Sequence, residues 1–178
     1  TISKQLAELM HGKIWVESTV GQGSTFHCLV KLGVNSGHKT APVPLPIDLQ
    51  NLRTLVVDDH AINTKILAEA LSSWNAQVTA VDNGQDALTE LRKAADSGKP
   101  YSLLLIDCRM PGIDGFQVVE KIQRSALSKG LTVIMLASDH WADDIARTYD
   151  MGLGGYLTKP IRRSDLLQTI SIALDRAR

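Results

Sequence analysis

The sequence predicts an α/β protein: a doubly wound parallel sheet of five strands, preceded by a small, partial α+β segment of one helix and one hairpin. Three observations predict it. Beyond residue 51, short apolar runs of strand length alternate five times with stretches whose apolar residues recur at helical spacing. Three of those runs end in charged residues: Leu55-Val56-Val57 meets Asp58 and Asp59, Leu104-Leu105-Ile106 meets Asp107, and Gly155-Tyr156-Leu157 leads through Thr158 to Lys159. A stretch with Pro42, Pro44 and Pro46 at alternate positions has no usable periodicity and separates all of this from the first 34 residues. The chain therefore parses as 1–34, a Pro-rich linker at 35–51, and a larger domain at 52–178.

The elements follow in order. Leu6, Leu9 and Met10 recur at helical spacing, and Gly12 is placed to cap that helix at its carboxyl end. Ile14–Val16 reads as a strand and Val20–Ser24 as a turn. Phe26, Cys28, Val30 and Leu32 then alternate with Thr25, His27, Leu29 and Lys31, the period of a half-buried strand. One helix and one hairpin bury too little surface to stand alone.

In the larger domain, 53–57 is apolar and β-branched. A helix over 61–74 places Ile62, Ile66, Leu67, Ala70 and Leu71 on one face. Strand 77–81, helix 85–95, strand 102–107, helix 116–127, strand 131–137 and helix 142–151 come next. A short strand at 155–157 precedes a last helix, capped by Ser164 and running through Leu166, Leu167, Ile170 and Leu174. Five strand–helix units of this length imply a parallel, doubly wound sheet.

Bulk composition excludes some classes. Nineteen basic and 19 acidic residues give a formal net charge of zero, which argues against a dominant nucleic-acid surface. No apolar stretch approaches membrane-spanning length, so this segment is not expected to be membrane-bound. Cys28 and Cys108 fall in separate segments, which disfavours a disulfide and fits a reducing cytoplasmic setting. The chain opens inside an apparent helix and reads as part of something longer.

The charged strand ends carry the chemistry. Ligands of open α/β sheets bind at the carboxyl ends of the strands. Three carboxylates gathered there repel one another, and a Mg²⁺ ion, which takes oxygen ligands and keeps several waters, relieves that repulsion. Asp59 and Asp107 are the expected direct ligands, Asp58 a ligand through water, and the backbone carbonyl of Arg109 a further oxygen. Asp107 also suits a nucleophile that forms an aspartyl phosphate, with Mg²⁺ and the Lys159 ammonium neutralising charge during transfer. Pro160 suits a turn that aims Lys159 inward, and a cis Lys159–Pro160 bond is accessible.

These motifs carry a resemblance. Val56-Val57-Asp58-Asp59, Leu105-Ile106-Asp107, Met110-Pro111-Gly112-Ile113-Asp114-Gly115 and Tyr156-Leu157-Thr158-Lys159-Pro160 make residues 52–178 resemble a response-regulator receiver domain. The resemblance implies a flavodoxin-like (βα)5 fold in which Asp107 accepts phosphate from a phosphohistidine while Asp58, Asp59 and Lys159 complete the pocket. It also implies a Ser or Thr at the end of the fourth strand, where this chain has Ala137, followed by Ser138. Ala137 lacks the hydroxyl, and strand alternation turns Ser138 the other way. Tyr156 matches the family's aromatic switch position. The first 34 residues resemble the carboxyl-terminal end of a histidine-kinase-type ATPase domain, through Lys4–Ser18 and Gly21–Phe26. The nucleotide boxes and the phosphorylatable histidine segment are absent, so no kinase activity is expected here. ATPase tail, linker and receiver in that order resemble a hybrid sensor histidine kinase, the cytosolic part of a membrane-anchored sensor.

Two readings of function stay open on the sequence. One is a Mg²⁺-dependent phosphoacceptor exchanging phosphate with the kinase phosphohistidine domain and a histidine phosphotransfer protein. The other is a degenerate receiver used as a docking or dimerisation scaffold, which Ala137 favours. A homodimer through the N-terminal segment is a further expectation. An Asp-nucleophile phosphatase fits less well, because Arg109 stands where such enzymes carry a second acid. The histidines at 11, 27, 38, 60 and 140 read as ordinary polar positions without metal-ligand spacing. Cys108 reads as a small buried residue and Trp141 as a partly exposed aromatic.

Overall fold

The computed structural model describes residues 2–33, 49–138 and 142–176. The expectations for the proline-bearing stretch up to residue 48, and for His38, His140 and Trp141, lie outside the described residues. The chain divides into two compact units, Thr1–Pro44 and Leu45–Arg178. No helix among the described residues is long and apolar enough to cross a membrane.

In the first unit, α1 (Ile2–Leu9) is followed by β1 (Lys13–Thr19) and β2 (Gly23–Leu29). The strands pair antiparallel from Lys13↔Leu29 to Thr19↔Gly23. The left-handed residue that terminates the helix is His11, not Gly12. His11 takes the left-handed conformation (φ 53°), its N–H donates to the Glu8 carbonyl, and the Gly12 N–H donates to the Ala7 carbonyl, which is a Schellman ending. Gly12 serves close approach instead: a Cβ there would collide with the Leu29 carbonyl oxygen. The half-buried alternation expected of the second strand is not realised. Phe26 is 75% exposed, and Ala7 is the buried hydrophobic residue of this unit among those described. A lone helix provides too small a second layer to cover both strands.

The second unit is built on a parallel sheet in the order β4-β3-β5-β6-β7, from β3 (Arg53–Val57), β4 (Gln77–Val81), β5 (Leu103–Asp107), β6 (Thr132–Ala137) and β7 (Gly155–Thr158). Strand β5 is buried along its length, as a parallel strand covered on both faces must be. Alternation divides the core. Leu55, Val57, Leu104, Ile106, Val133 and Met135 face α3 (Gly84–Asp96) and α4 (Gly115–Gln123). Val56, Leu103, Leu105, Ile134 and Leu136 face α2 (Ala61–Ser72) and α6 (Arg163–Arg176). Leu49, inside the stretch read as linker, is buried in this second cluster.

Three helix boundaries differ from expectation by two residues or more, and α2 is one, ending at Ser72 instead of 74. Helix α4 ends at Gln123, and Ser125 caps a separate 3-10 turn, Ala126–Ser128, by accepting from the Leu127 N–H. Ser164 does not cap α6. The Arg162 carbonyl already accepts from the Leu166 N–H, and Ser164 sits one residue inside, bonded to Asp165. The remaining helix, α5 (Ala142–Asp150), leads into β7.

The strand order places the functional rim. From β3 the chain crosses to β4 on one side, then returns to β5 on the other. The crevice at that reversal opens at the carboxyl ends of β3 and β5.

Candidate functional site

Asp58 follows β3 and is fully buried. Its carboxylate accepts from the His60 N–H at 3.0 Å, from Asn63 Nδ2 at 3.0 and 3.1 Å, and from Lys159 Nζ at 2.6 Å. Asp107 ends β5 and is 3% exposed. One of its oxygens is 2.6 Å from Lys159 Nζ, and the other accepts from the Arg109 N–H at 3.3 Å. A single ammonium thus bridges the carboxylates of two adjacent strands. Lys159 is held in place by its own N–H, which donates to the Ala137 carbonyl at 2.7 Å, and the Lys159–Pro160 peptide is cis.

The other residues singled out in the sequence are less closely joined. Asp59 is partly exposed at the mouth of the crevice, and the Arg109 guanidinium pairs with Asp144 on α5 at 3.5 Å. Ala137 is buried at the end of β6, opposite Thr158, within the core cluster under α3 and α4. Ser138 is exposed. Tyr156 is half-buried against that same cluster, opposite Met135. Cys108 is buried, and its thiol is pushed up to about 12, by burial first and then by the charges of Asp144 and Asp107.

Two residues belong to the pocket that sequence reading left out. Asn63 lies in the first turn of α2, and side chains there lean back toward the helix N-terminus, which brings its amide onto Asp58. Its place five residues after Asp58, at the start of a helix, was the available signal. His60, read with the other histidines as an ordinary polar position, stands at the same rim and is exposed. Its Nδ1 lies 2.9 Å from Asp59 and 3.7 Å from Asp58. One ligand atom from each of Asp58, Asp59 and His60 falls within 4.8 Å of the others.

Residues 54–171 match the family model of the response regulator receiver domain. The chain belongs to this family. Among its relatives, the sensor protein TorS of Escherichia coli is 31% identical over 176 residues, covering 96% of this chain and 18% of TorS. The hybrid signal transduction histidine kinase L of Dictyostelium discoideum is 32% identical over 121 residues, covering 66% of this chain and 7% of that protein. The chain thus spans only a small part of these relatives. The chemotaxis protein CheY4 of Vibrio cholerae superposes with a TM-score of 0.63 at 23% identity, over 70% of this chain and 99% of that one, a likeness of fold.

The electrostatics of the receiver pocket have a clear direction. Burial raises the Asp107 carboxyl above its ordinary value, against the opposing pull of the Lys159 ammonium. Burial also works against the Lys159 charge, yet the carboxylates of Asp107 and Asp58 outweigh it and hold the ammonium above its ordinary value. Receiver domains generally hold Mg²⁺ in an acidic pocket. The oxygen donors present suit that ion: the carboxylates of Asp58 and Asp59 lie together at the rim, with Asp59 partly exposed to the waters Mg²⁺ retains.

Proposed function

We propose that this receiver is a Mg²⁺-dependent phosphoacceptor working within a hybrid histidine kinase. The carrying observation is the Lys159 ammonium, 2.6 Å from an oxygen of Asp58 and from an oxygen of Asp107. Asp107 is the nucleophile. Its carboxylate oxygen bonds to phosphorus as the phosphorus–nitrogen bond of a phosphohistidine breaks, and the departing imidazole keeps the electron pair. Lys159 follows the charge, exchanging part of its contact with Asp107 for a phosphoryl oxygen. Asp59 and Asp107 would hold the ion directly, Asp58 would act through water, and the Arg109 carbonyl would add an oxygen. The ion, when bound, neutralises charge on the phosphoryl oxygens.

The partners in this reading are the phosphohistidine domain of the kinase and a histidine phosphotransfer protein. Ile62 and Ile66, exposed on α2 beside the pocket, supply an apolar surface for such a partner. The first unit is read as the closing helix and hairpin of an ATPase domain. Ile2, Leu6, Leu9 and Phe26 are exposed on it, as expected of a piece whose core is completed elsewhere, in a larger domain or in a homodimer. The match to TorS extends across this unit as well. The setting is the cytosolic side of a membrane-anchored sensor.

A second reading rests on Ala137. The buried end of β6 offers no hydroxyl to a phosphoryl group, which favours a docking scaffold without phosphate-driven switching. Incubation with acetyl phosphate and Mg²⁺, followed by intact-mass measurement, separates the two. The phosphoacceptor gains one phosphate that hydroxylamine removes and that Asp107→Asn never acquires. No adduct, with ion binding intact, leaves the scaffold.

A further inference from the structure

The receiver sheet leaves a gap at the end opposite the phosphoacceptor pocket. Strand β7 starts at Gly155, opposite Ile134, whereas β6 starts at Thr132. The first two residues of β6 therefore have no strand beside them on that edge, where the Gly154 N–H reaches the Val133 carbonyl at 2.8 Å. Helix α5 ends next to the gap. Gly152 is left-handed (φ 65°), its N–H donates to the Tyr149 carbonyl, and the Leu153 N–H donates to the Thr148 carbonyl, a Schellman ending that fixes where Tyr149 stands. The result is a cavity of about 500 Å³ among the ends of α4, α5 and α6, a size in the range of small-molecule sites.

Its walls divide by chemistry. Val119, Ile122, Leu131 and Leu153 make an apolar side. Thr132, Tyr149 and Arg176 supply hydrogen-bond donors. Thr132 is only 7% exposed. Its methyl lies toward Gly154, where an added Cβ would come within 2.8 Å of it. Its hydroxyl bonds to nothing among the described residues and is not sealed in, so it opens on the cavity. A hydroxyl taken from water without a partner costs stability, and an acceptor brought to it recovers that loss. The Arg176 guanidinium has no ion-pair partner among the described residues. No acid lines the cavity, not even Asp150 or Asp175, which adjoin Tyr149 and Arg176 in sequence.

We propose that this cavity binds a small monocarboxylic acid, its carboxylate on Arg176 with the Thr132 hydroxyl as a further donor, and its hydrocarbon part against Val119, Ile122 and Leu153. One cation balances one negative charge, and a guanidinium takes a carboxylate through two parallel hydrogen bonds. The site lies away from Asp107 and does not depend on the phosphoacceptor reading.

The test titrates octanoate, with octanol as its uncharged twin, into the isotope-labelled whole chain followed by amide NMR. Octanoate should bind saturably and move the amides of Leu131, Val133, Leu153 and Gly154. It should bind at least about tenfold more tightly than the alcohol, the usual worth of a hydrogen bond to a charged group. Arg176→Gln should remove that preference. Thr132→Val keeps the side-chain shape and loses only the hydroxyl. It should weaken octanoate binding yet unfold at the same urea concentration as the wild type or a higher one, whereas a threonine with a purely structural role would lose stability. Equal binding of acid and alcohol overturns the carboxylate, and so does undiminished octanoate binding in Arg176→Gln. Shifts confined to other regions, such as the exposed leucines of the first unit, overturn the site by placing the probe elsewhere. Absence of saturable binding at millimolar octanoate overturns it as well.

Discussion

At the scale of single residues, the pocket concentrates charge where the fold would otherwise exclude it. Asp58 is fully buried and Asp107 nearly so, and one ammonium serves both. Removing either partner of such a group leaves an uncompensated charge, so Lys159 and Asp58 are structural as well as chemical. Asp107 differs in sign. Its carboxyl lies above the ordinary 3.8, so folding favours its neutral form. That contribution is fully present below 3.8 and is lost as pH rises through the raised value, leaving the ionised Asp107 a burden at neutral pH. Asparagine in its place has no such proton to lose. Asp107→Asn should therefore gain stability relative to the wild type as pH climbs from 3.8 to neutrality, read by urea unfolding at stepped pH without divalent ions. A constant difference across that range would count against the raised carboxyl. Asp58, Asp59, Asp107 and Lys159 were legible in sequence because each follows an apolar run closely. Asn63 was not, since an amide in the first turn of a helix has many commoner explanations.

At the scale of elements, the pocket depends on how closely helices seat against strand ends. Strands β3 and β4 were readable to the residue, β3 because its apolar end Leu55–Val57 stops at Asp58, and β4 because Val78 and Val81 stand between the turn residues Asn75 and Asn83 although none of its residues is buried. Helix ends were less readable. Apolar spacing carries on through Leu127, but Ser125 offers the backbone a competing turn and α4 stops at Gln123. The start of α4 is fixed more firmly, by the Asp114–Gln117 capping box and by Gly115, whose N–H donates to the Cys108 carbonyl at 3.1 Å. A Cβ at Gly115 would collide with the carbonyl oxygen of Asp107. Gly115→Ala must push the helix off the strand end that carries the nucleophile. The expected cost is about 1–3 kcal/mol, the usual range for overpacking, together with slower adduct formation from acetyl phosphate. Gly112→Ala is the comparison: its left-handed backbone (φ 79°) strains an alanine, but no neighbour lies within 4 Å of the added carbon. A Gly115→Ala protein that matches the wild type in both readouts would show that α4 can shift without disturbing Asp107.

At the scale of the whole molecule, the two units differ in what they bury. Both apolar clusters of the receiver draw their residues from Leu49 onward, whereas Ala7 is the buried hydrophobic residue described in the first unit. Hydrophobic burial scales with the area removed from water, so the receiver carries its own stability and the first unit carries very little. Composition could not reveal this, because apolar residues are frequent in both units and only their partners differ. Leu49 makes the boundary sharp. It is 1% exposed and packs with Leu67, Leu71 and Ile170, although it belongs to a stretch whose prolines mark it as a linker. A chain beginning at Leu49 should therefore unfold in urea with the midpoint and slope of the full receiver transition. A chain beginning at Arg53 should lose about 2 kcal/mol or more, as for removal of a buried leucine. Residues 2–33 alone should show no cooperative transition. If the chain from Leu49 is instead markedly weakened, the first unit contributes directly to receiver stability. Its exposed leucines and Phe26 would then be covered within this chain, and neither an ATPase domain nor a second copy would be needed to cover them.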